Sequence, residues 1–343
     1  MKALVLEKYN KLVYKDVTEP VPEKNEVLVK VKACGICGSD VHGMDGSTGR
    51  RQPPVIMGHE ASGVITSIGS EVSGWNIGDR VTFDSTIFPL NDWYTLNGNY
   101  NLSENRQVLG VSPGNYKKHG AFAEYVTVPE HILYKLPDNV SFEQAAMVEP
   151  AAVALHAIKQ SGFQLGESAA VIGAGMIGLF LVQLLTLSNA SPLFAIDIDN
   201  SKLKMAKKFG AEIVLNTDKD ELIKEVLART NTRGVDQVFE AVGIEPTVNN
   251  AIEIVRKGGK VVLVGNLSPT INFPLQSVVT REIKVLGSCA IRGEYETVLQ
   301  LIDAGKLKVD EMISAVAPLS EGADWFKRLY NKEAGLKKVI LVP

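Results

Sequence analysis

The chain has 343 residues, 45% of them hydrophobic and 22% charged, and a formal net charge of -3. That length suits two domains, each able to bury an apolar core, and that composition excludes a disordered chain. A pI near 6.0 supplies no basic field for nucleic acid or an anionic membrane, so neither is expected as a partner.

Three cysteines, Cys34, Cys37 and Cys289, are too few for a secreted disulfide framework and point to a reducing cytoplasm. The opening MKALVLEKYN reaches charged Glu7 and Lys8 before an apolar signal region develops, so no secretory leader is expected.

From residue 1 to about 150, the segments KALVLE, EVLVKVKA, ASGVITSIGS and FAEYVTVP alternate or run in β-branched residues between turn signals, which predicts a mostly β domain. Next comes an uncharged stretch from Ser168 to Ile196, long enough to cross a bilayer if it were all helix. Three glycines, Asn189 and Pro192 divide it into strand, turn, helix and strand instead, as a sheet buried on both faces requires. Across 151–285 the apolar strands AAVIGAG, LFAID, IVLN, DQVFEAVG and KVVLVG alternate with helix-length segments such as SKLKMAKKFG and EPTVNNAIEIVRKGG. This α/β alternation predicts a doubly wound parallel sheet. The helical stretches EYETVLQLIDAGKL and EGADWFKRLYN then precede a closing strand, KKVILVP, and residues 286–343 are expected to return to the first domain.

Gly173-Ala174-Gly175-Met176-Ile177-Gly178 follows a predicted strand and opens a predicted helix. In that context the first glycine makes a tight turn, the second admits a pyrophosphate, the third lets helix and strand pack closely, and the helix N-terminus attracts phosphate. Asp197 ends the next strand, a little over twenty residues downstream, where a carboxylate accepts both ribose hydroxyls and repels a 2′-phosphate. NAD is therefore the expected dinucleotide. Asp199 competes for the ribose role, although its position suits the start of the next helix.

The first half also holds Cys34-Gly35-Ile36-Cys37-Gly38-Ser39-Asp40-Val41-His42, then Gly58-His59-Glu60, and at its end Glu149-Pro150. A catalytic zinc needs three protein ligands of thiolate, imidazole or carboxylate type and one open position, and Cys37, His59, Glu60 and Glu149 offer that mixture. A redox pair of Cys34 and Cys37 is the alternative, but such a pair belongs at a helix start in a thioredoxin-like unit, and none is predicted.

These motifs resemble the zinc-dependent alcohol dehydrogenases of the medium-chain dehydrogenase/reductase superfamily, over essentially the whole chain. GHEASGVITSIGSEV, with Gly63 and Gly69, fits the zinc signature, and GDRV follows it; CGICGSDVH, EPAAVALHA and NRQVLG leading into HGAFAEYVTVP resemble the sorbitol (L-iditol) dehydrogenase branch. The resemblance implies a GroES-like β domain over 1–150, with the return of 286–343, and a Rossmann domain over 151–285. It implies Cys37 and His59 as zinc ligands, Glu60 as the third, and Glu149 as a carboxylate that borders the metal and exchanges with Glu60 or water. Ser39 would take the substrate proton and His42 would pass it to solvent, while the hydride of a secondary alcohol goes to NAD. A homodimer or homotetramer is also implied.

Two departures stand out. The family's four-cysteine lobe for a structural zinc aligns here with Pro89, Asp92, Thr95 and Ser103, so one zinc per chain is expected. Where animal sorbitol dehydrogenases carry an Arg-Tyr pair, Ala290 and Ile291 stand, with Arg292 next to them. Arg50 and Arg51 suggest a second enzyme reading, a sugar-phosphate dehydrogenase of the galactitol-phosphate kind or a threonine dehydrogenase, since adjacent arginines can hold a phosphate bidentately. A non-catalytic NAD-binding protein is the remaining alternative; the full zinc and relay set argues against it.

Overall fold

The structure, a computed structural model, describes residues 1–111 and 118–343. It divides into two compact units, Met1–Glu149 with Ile291–Pro343, and Pro150–Ala290.

The first unit is mostly β. Its main sheet runs in the order Leu133–Lys135, Arg80–Phe83, Glu60–Ile68, Glu26–Gly35, Lys338–Val342, Ile313–Pro318, and Tyr125–Pro129 also pairs with Glu26–Gly35. Strand periodicity explains the choice of residues: Val29, Val31 and Ala33 are buried while Lys30 and Lys32 between them are exposed. Leu6, Val29, Ile65, Phe83, Phe122 and Phe326 form part of one core, so residues from both ends of the chain share it. Register matters most at Gly35, which pairs with Glu60 on one side and Ile340 on the other. The closing strand is thereby laid beside the one that leads into Cys37.

The second unit holds a six-stranded sheet in the order Ile213–Asn216, Leu193–Asp197, Ala169–Ile172, Val235–Glu240, Val255–Leu263, Lys284–Gly287, every pair parallel. Ala169–Ile172 is buried throughout, as two-sided cover demands. The uncharged stretch from Ser168 to Ile196 forms a strand, a turn, the helix Met176–Leu187 and a second strand. Among the described residues no helix is long and apolar enough to cross a membrane.

Two strands depart from the sequence reading. Lys284–Gly287 and Ile313–Pro318 each form a sheet edge and are only partly covered, so neither carries a strong apolar run. The first of them straddles the boundary expected at 285, and the parallel-sheet unit extends to Ala290.

Candidate active site

Cys37 caps a short helix, Gly38–Gly43, accepting from the Ser39 N–H at 3.4 Å, while Asp40 accepts from the Cys37 N–H at 3.4 Å. One turn therefore buries Asp40 and leaves Ser39 and His42 exposed, three residues apart and on one face. The Ser39 hydroxyl donates to Cys37 Sγ at 3.2 Å. His59 and Glu60 enter at the start of the neighbouring strand, and both are buried.

Ligand atoms of Cys37, His59 and Glu60 lie within 4.8 Å of one another. His59 Nδ1 faces Asp40 Oδ1 at 3.5 Å, leaving Nε2 for a metal. Such a carboxylate behind a ligating imidazole fixes its orientation and raises its basicity. Burial opposes the charged imidazole, but Asp40 and Cys37 outweigh it and hold the His59 pKa well above its ordinary value. Thiolate, imidazole and carboxylate in one buried place, with a positive charge already favoured among them, fit a divalent zinc.

Glu149 is not part of that three-residue cluster. Burial pushes its carboxyl up to about 7, with the Glu60 charge adding to the rise and His59 and Lys338 opposing it. Cys34 is buried in its strand and not disulfide-bonded, and burial, reinforced by Asp40 and Glu60, drives its thiol well above the usual range. A buried Cys34 whose thiolate is disfavoured argues against the redox-pair alternative.

Lys338 is the residue the sequence did not announce. Its ammonium donates to Glu60 and, at 3.1 Å, to the Ile36 carbonyl, deep in the sheet. Gly35 makes this contact feasible, because a Cβ there would collide with the Glu60 carboxylate. Arg51 is also placed differently from the sequence reading: it is buried, with Nη2 2.6 Å from Asp40 Oδ1, and only Arg50 of the pair is exposed. The two do not form a shared phosphate clamp.

In the second unit Gly173 adopts φ +93°, and a Cβ on Gly178 would collide with the Gly173 carbonyl, so both positions need glycine. Gly175 faces open space and heads the helix Met176–Leu187 without a side-chain cap, which leaves N–H groups for phosphate oxygens. The Asp197 carboxylate accepts from the Ala174 N–H at 2.7 Å and from the Asp199 N–H at 2.9 Å. Asp199 instead caps the helix Asn200–Lys208 through the Ser201 N–H. These features fit a dinucleotide.

The lobe without cysteines is held by Asp92, which accepts from the Thr95 N–H at 2.7 Å and from the Ser103 hydroxyl. Three of the four positions aligned with zinc ligands thus form a hydrogen-bonded clasp. Tyr100 stacks on Phe88 and donates to Asp84 at 2.7 Å, whereas Trp93 and Leu96 are 68% and 72% exposed. Arg292 donates to Asn99, at the end of this lobe.

Residues 23–138 match the family model of the alcohol dehydrogenase GroES-like domain, and residues 177–304 that of the zinc-binding dehydrogenases. The chain is 33% identical to a D-arabitol-phosphate dehydrogenase of Enterococcus avium, over 94% of this chain and 91% of that protein. It is 34% identical to a probable D-xylulose reductase A of Aspergillus fumigatus, over 98% and 96%. Among solved structures, the alcohol dehydrogenase of Thermus sp. ATN1 superimposes with a TM-score of 0.93 at 33% identity, covering 100% of this chain and 99% of that one. The converging ligand set, the glycine turn and these relatives together establish that the chain belongs to the zinc-dependent alcohol dehydrogenase family of the medium-chain dehydrogenase/reductases.

Proposed function

We propose that the protein oxidises a secondary alcohol of a polyol or sugar derivative, with NAD as the acceptor. The observation that carries this reading is the convergence of Cys37, His59 and Glu60 beside an exposed hydroxyl, Ser39. Those three residues would hold the zinc, and Glu149 would be the carboxylate that borders it and can exchange with Glu60 or water. When bound, zinc supplies Lewis acidity at the substrate hydroxyl and NAD supplies the hydride acceptor.

The chain's own groups do the rest. Ser39 accepts the substrate proton, and His42, on the same face of the helical turn, passes it to solvent. Gly173, Gly175 and Gly178 receive the pyrophosphate, and Asp197 takes the ribose hydroxyls and turns away a 2′-phosphate. Exposed Leu90, Trp93 and Leu96 on the lobe, and exposed Leu275 and Val279 in the helix that precedes the edge strand Lys284–Gly287, support a homo-oligomer, a dimer or tetramer, and three free cysteines support a reducing, cytoplasmic setting.

The test is NAD reduction by the zinc-loaded protein over a panel of polyols, phosphorylated polyols, simple secondary alcohols and threonine. Turnover is expected to be highest on an unphosphorylated polyol. Preference for a phosphorylated member or threonine would replace the substrate assignment, and inactivity on every member would overturn it.

A further inference from the structure

We infer that Arg51 is a positioning residue for proton transfer at Ser39: its buried guanidinium occupies one lone pair of the Ser39 hydroxyl and leaves a single acceptor site for the substrate proton. The inference rests on the proposed relay role of Ser39.

Arg51 is 1% exposed, which places a permanent charge in the interior of the first unit. Its Nη2 lies 2.6 Å from Asp40 Oδ1 and 3.2 Å from Ser39 Oγ, so one nitrogen serves both groups. The slot is built for it: a Cβ on Gly43 would come within 2.9 Å of Arg51 Cδ, and the Tyr9 hydroxyl donates to the Arg51 carbonyl at 3.0 Å. Neutralising Asp40 needs a charge beside it but no bond to Ser39. The contact with Ser39 is the additional feature.

A serine hydroxyl has one hydrogen and two acceptor lone pairs, and a guanidinium donates without ever accepting. The lone pair facing Arg51 is therefore permanently filled. Two positions remain on the hydroxyl: one facing Cys37 Sγ, 3.2 Å away, to which it donates in the metal-free protein, and one toward the exposed side. With the thiolate on zinc, an alcohol held there would donate its proton at the position facing Cys37, and as that O–H bond forms the original Ser39 hydrogen, turned to the exposed side, leaves toward His42. Arg51 keeps all its protons, and the hydride departs separately to NAD. Without the guanidinium the hydroxyl turns among its staggered rotamers and has two acceptor sites, only one of them productive.

The expected signature is a loss in kcat with little change in KM. Arg51→Met alone strands a buried carboxylate, so the working variant is Arg51→Lys, which keeps a charge beside Asp40 but ends one bond short of the place of Nη2. The second variant is Arg51→Met with Asp40→Asn, read against Asp40→Asn alone so that the change at His59 cancels. In both, kcat should fall ~10-fold or more, the scale of one hydrogen bond from a charged donor. Repeated on a Ser39→Ala background, the same changes should cost less than about 2-fold, because coupled residues are not additive. Zinc retained against a chelator, read by elemental analysis, should match wild type in Arg51→Lys and should match Asp40→Asn in the double variant. Equal losses on both backgrounds, or zinc loss that accounts for the missing turnover, would overturn the inference and assign Arg51 to Asp40 and His59 alone. Unchanged turnover in Ser39→Ala itself would overturn the relay reading first, and this inference with it.

Discussion

The ammonium of Lys338 rests on the Glu60 carboxylate, and the two reach each other across the bare backbone of Gly35. Both side chains are at most 3% exposed, so neither charge is screened by water. A buried ion pair broken on one side leaves an uncompensated charge, at a cost of about 3–5 kcal/mol. Lys338→Met should therefore destabilise the metal-free protein by roughly that amount. In zinc-loaded protein the cation replaces the lost ammonium as counter-charge to Glu60, and the loss should shrink. Denaturant unfolding in both states measures this; equal losses would show that Glu60 does not face the metal.

Asp197 is pinned by two backbone N–H groups, and Lys202 stands 3.9 Å from it. Asp197→Ser removes the charge that repels a 2′-phosphate and frees Lys202 to attract it. The ratio of kcat/KM with NADP to that with NAD should rise by about 10-fold or more, the scale of one charged hydrogen bond gained or lost. An unaltered ratio would place the ribose elsewhere.

Asp84 is buried, and burial raises its carboxyl to about 6, against Thr86 and Tyr100 bonds that lower it. The sign follows from proton binding: between the unfolded value near 3.8 and about 6, the folded state holds more protons than the unfolded one. This group's contribution is thus full below pH ~4 and is lost as the pH rises through 6. Asp84→Asn should flatten that part of the stability curve relative to wild type, by up to about 3 kcal/mol for a shift of two pKa units. Parallel curves would mean that Asp84 is ionised in the fold.

In the lobe, Asp92→Ala removes the cap of the short helix Trp93–Leu96 and the partner of Ser103. A stability loss of about 1 kcal/mol is expected, typical of a lost cap. Trp93 fluorescence should be unmoved by chelators in wild type, since hydrogen bonds do the work that four cysteines do elsewhere. A chelator-sensitive signal would point to a metal in the lobe.

The glycine turn and the Cys37, His59 and Glu60 fragments were legible because their chemistry is local: each motif spans a few residues and announces itself by flanking glycines. The alternating strands were legible for the same reason. Lys338 was not, because it lies 278 residues from Glu60 in the chain and only the pairing of Gly35 with two different strands joins them. Arg50 and Arg51 are identical letters side by side, yet one is solvated and the other buried on Asp40, a distinction set by how Gly43 and Tyr9 pack. The edge strands Lys284–Gly287 and Ile313–Pro318 lacked the two-sided apolar run that marks a central strand.

The central claim is a single catalytic zinc held by Cys37, His59 and Glu60 that serves NAD-linked alcohol oxidation. The most direct measurement is to strip the protein of metal and titrate zinc back while recording both bound metal and NAD reduction with the best polyol. Activity should rise in step with bound zinc and level off at one equivalent per chain, and Cys37→Ala and His59→Ala should neither retain the metal nor recover activity. Full activity in stripped protein, or a plateau reached only at two equivalents, would contradict the account.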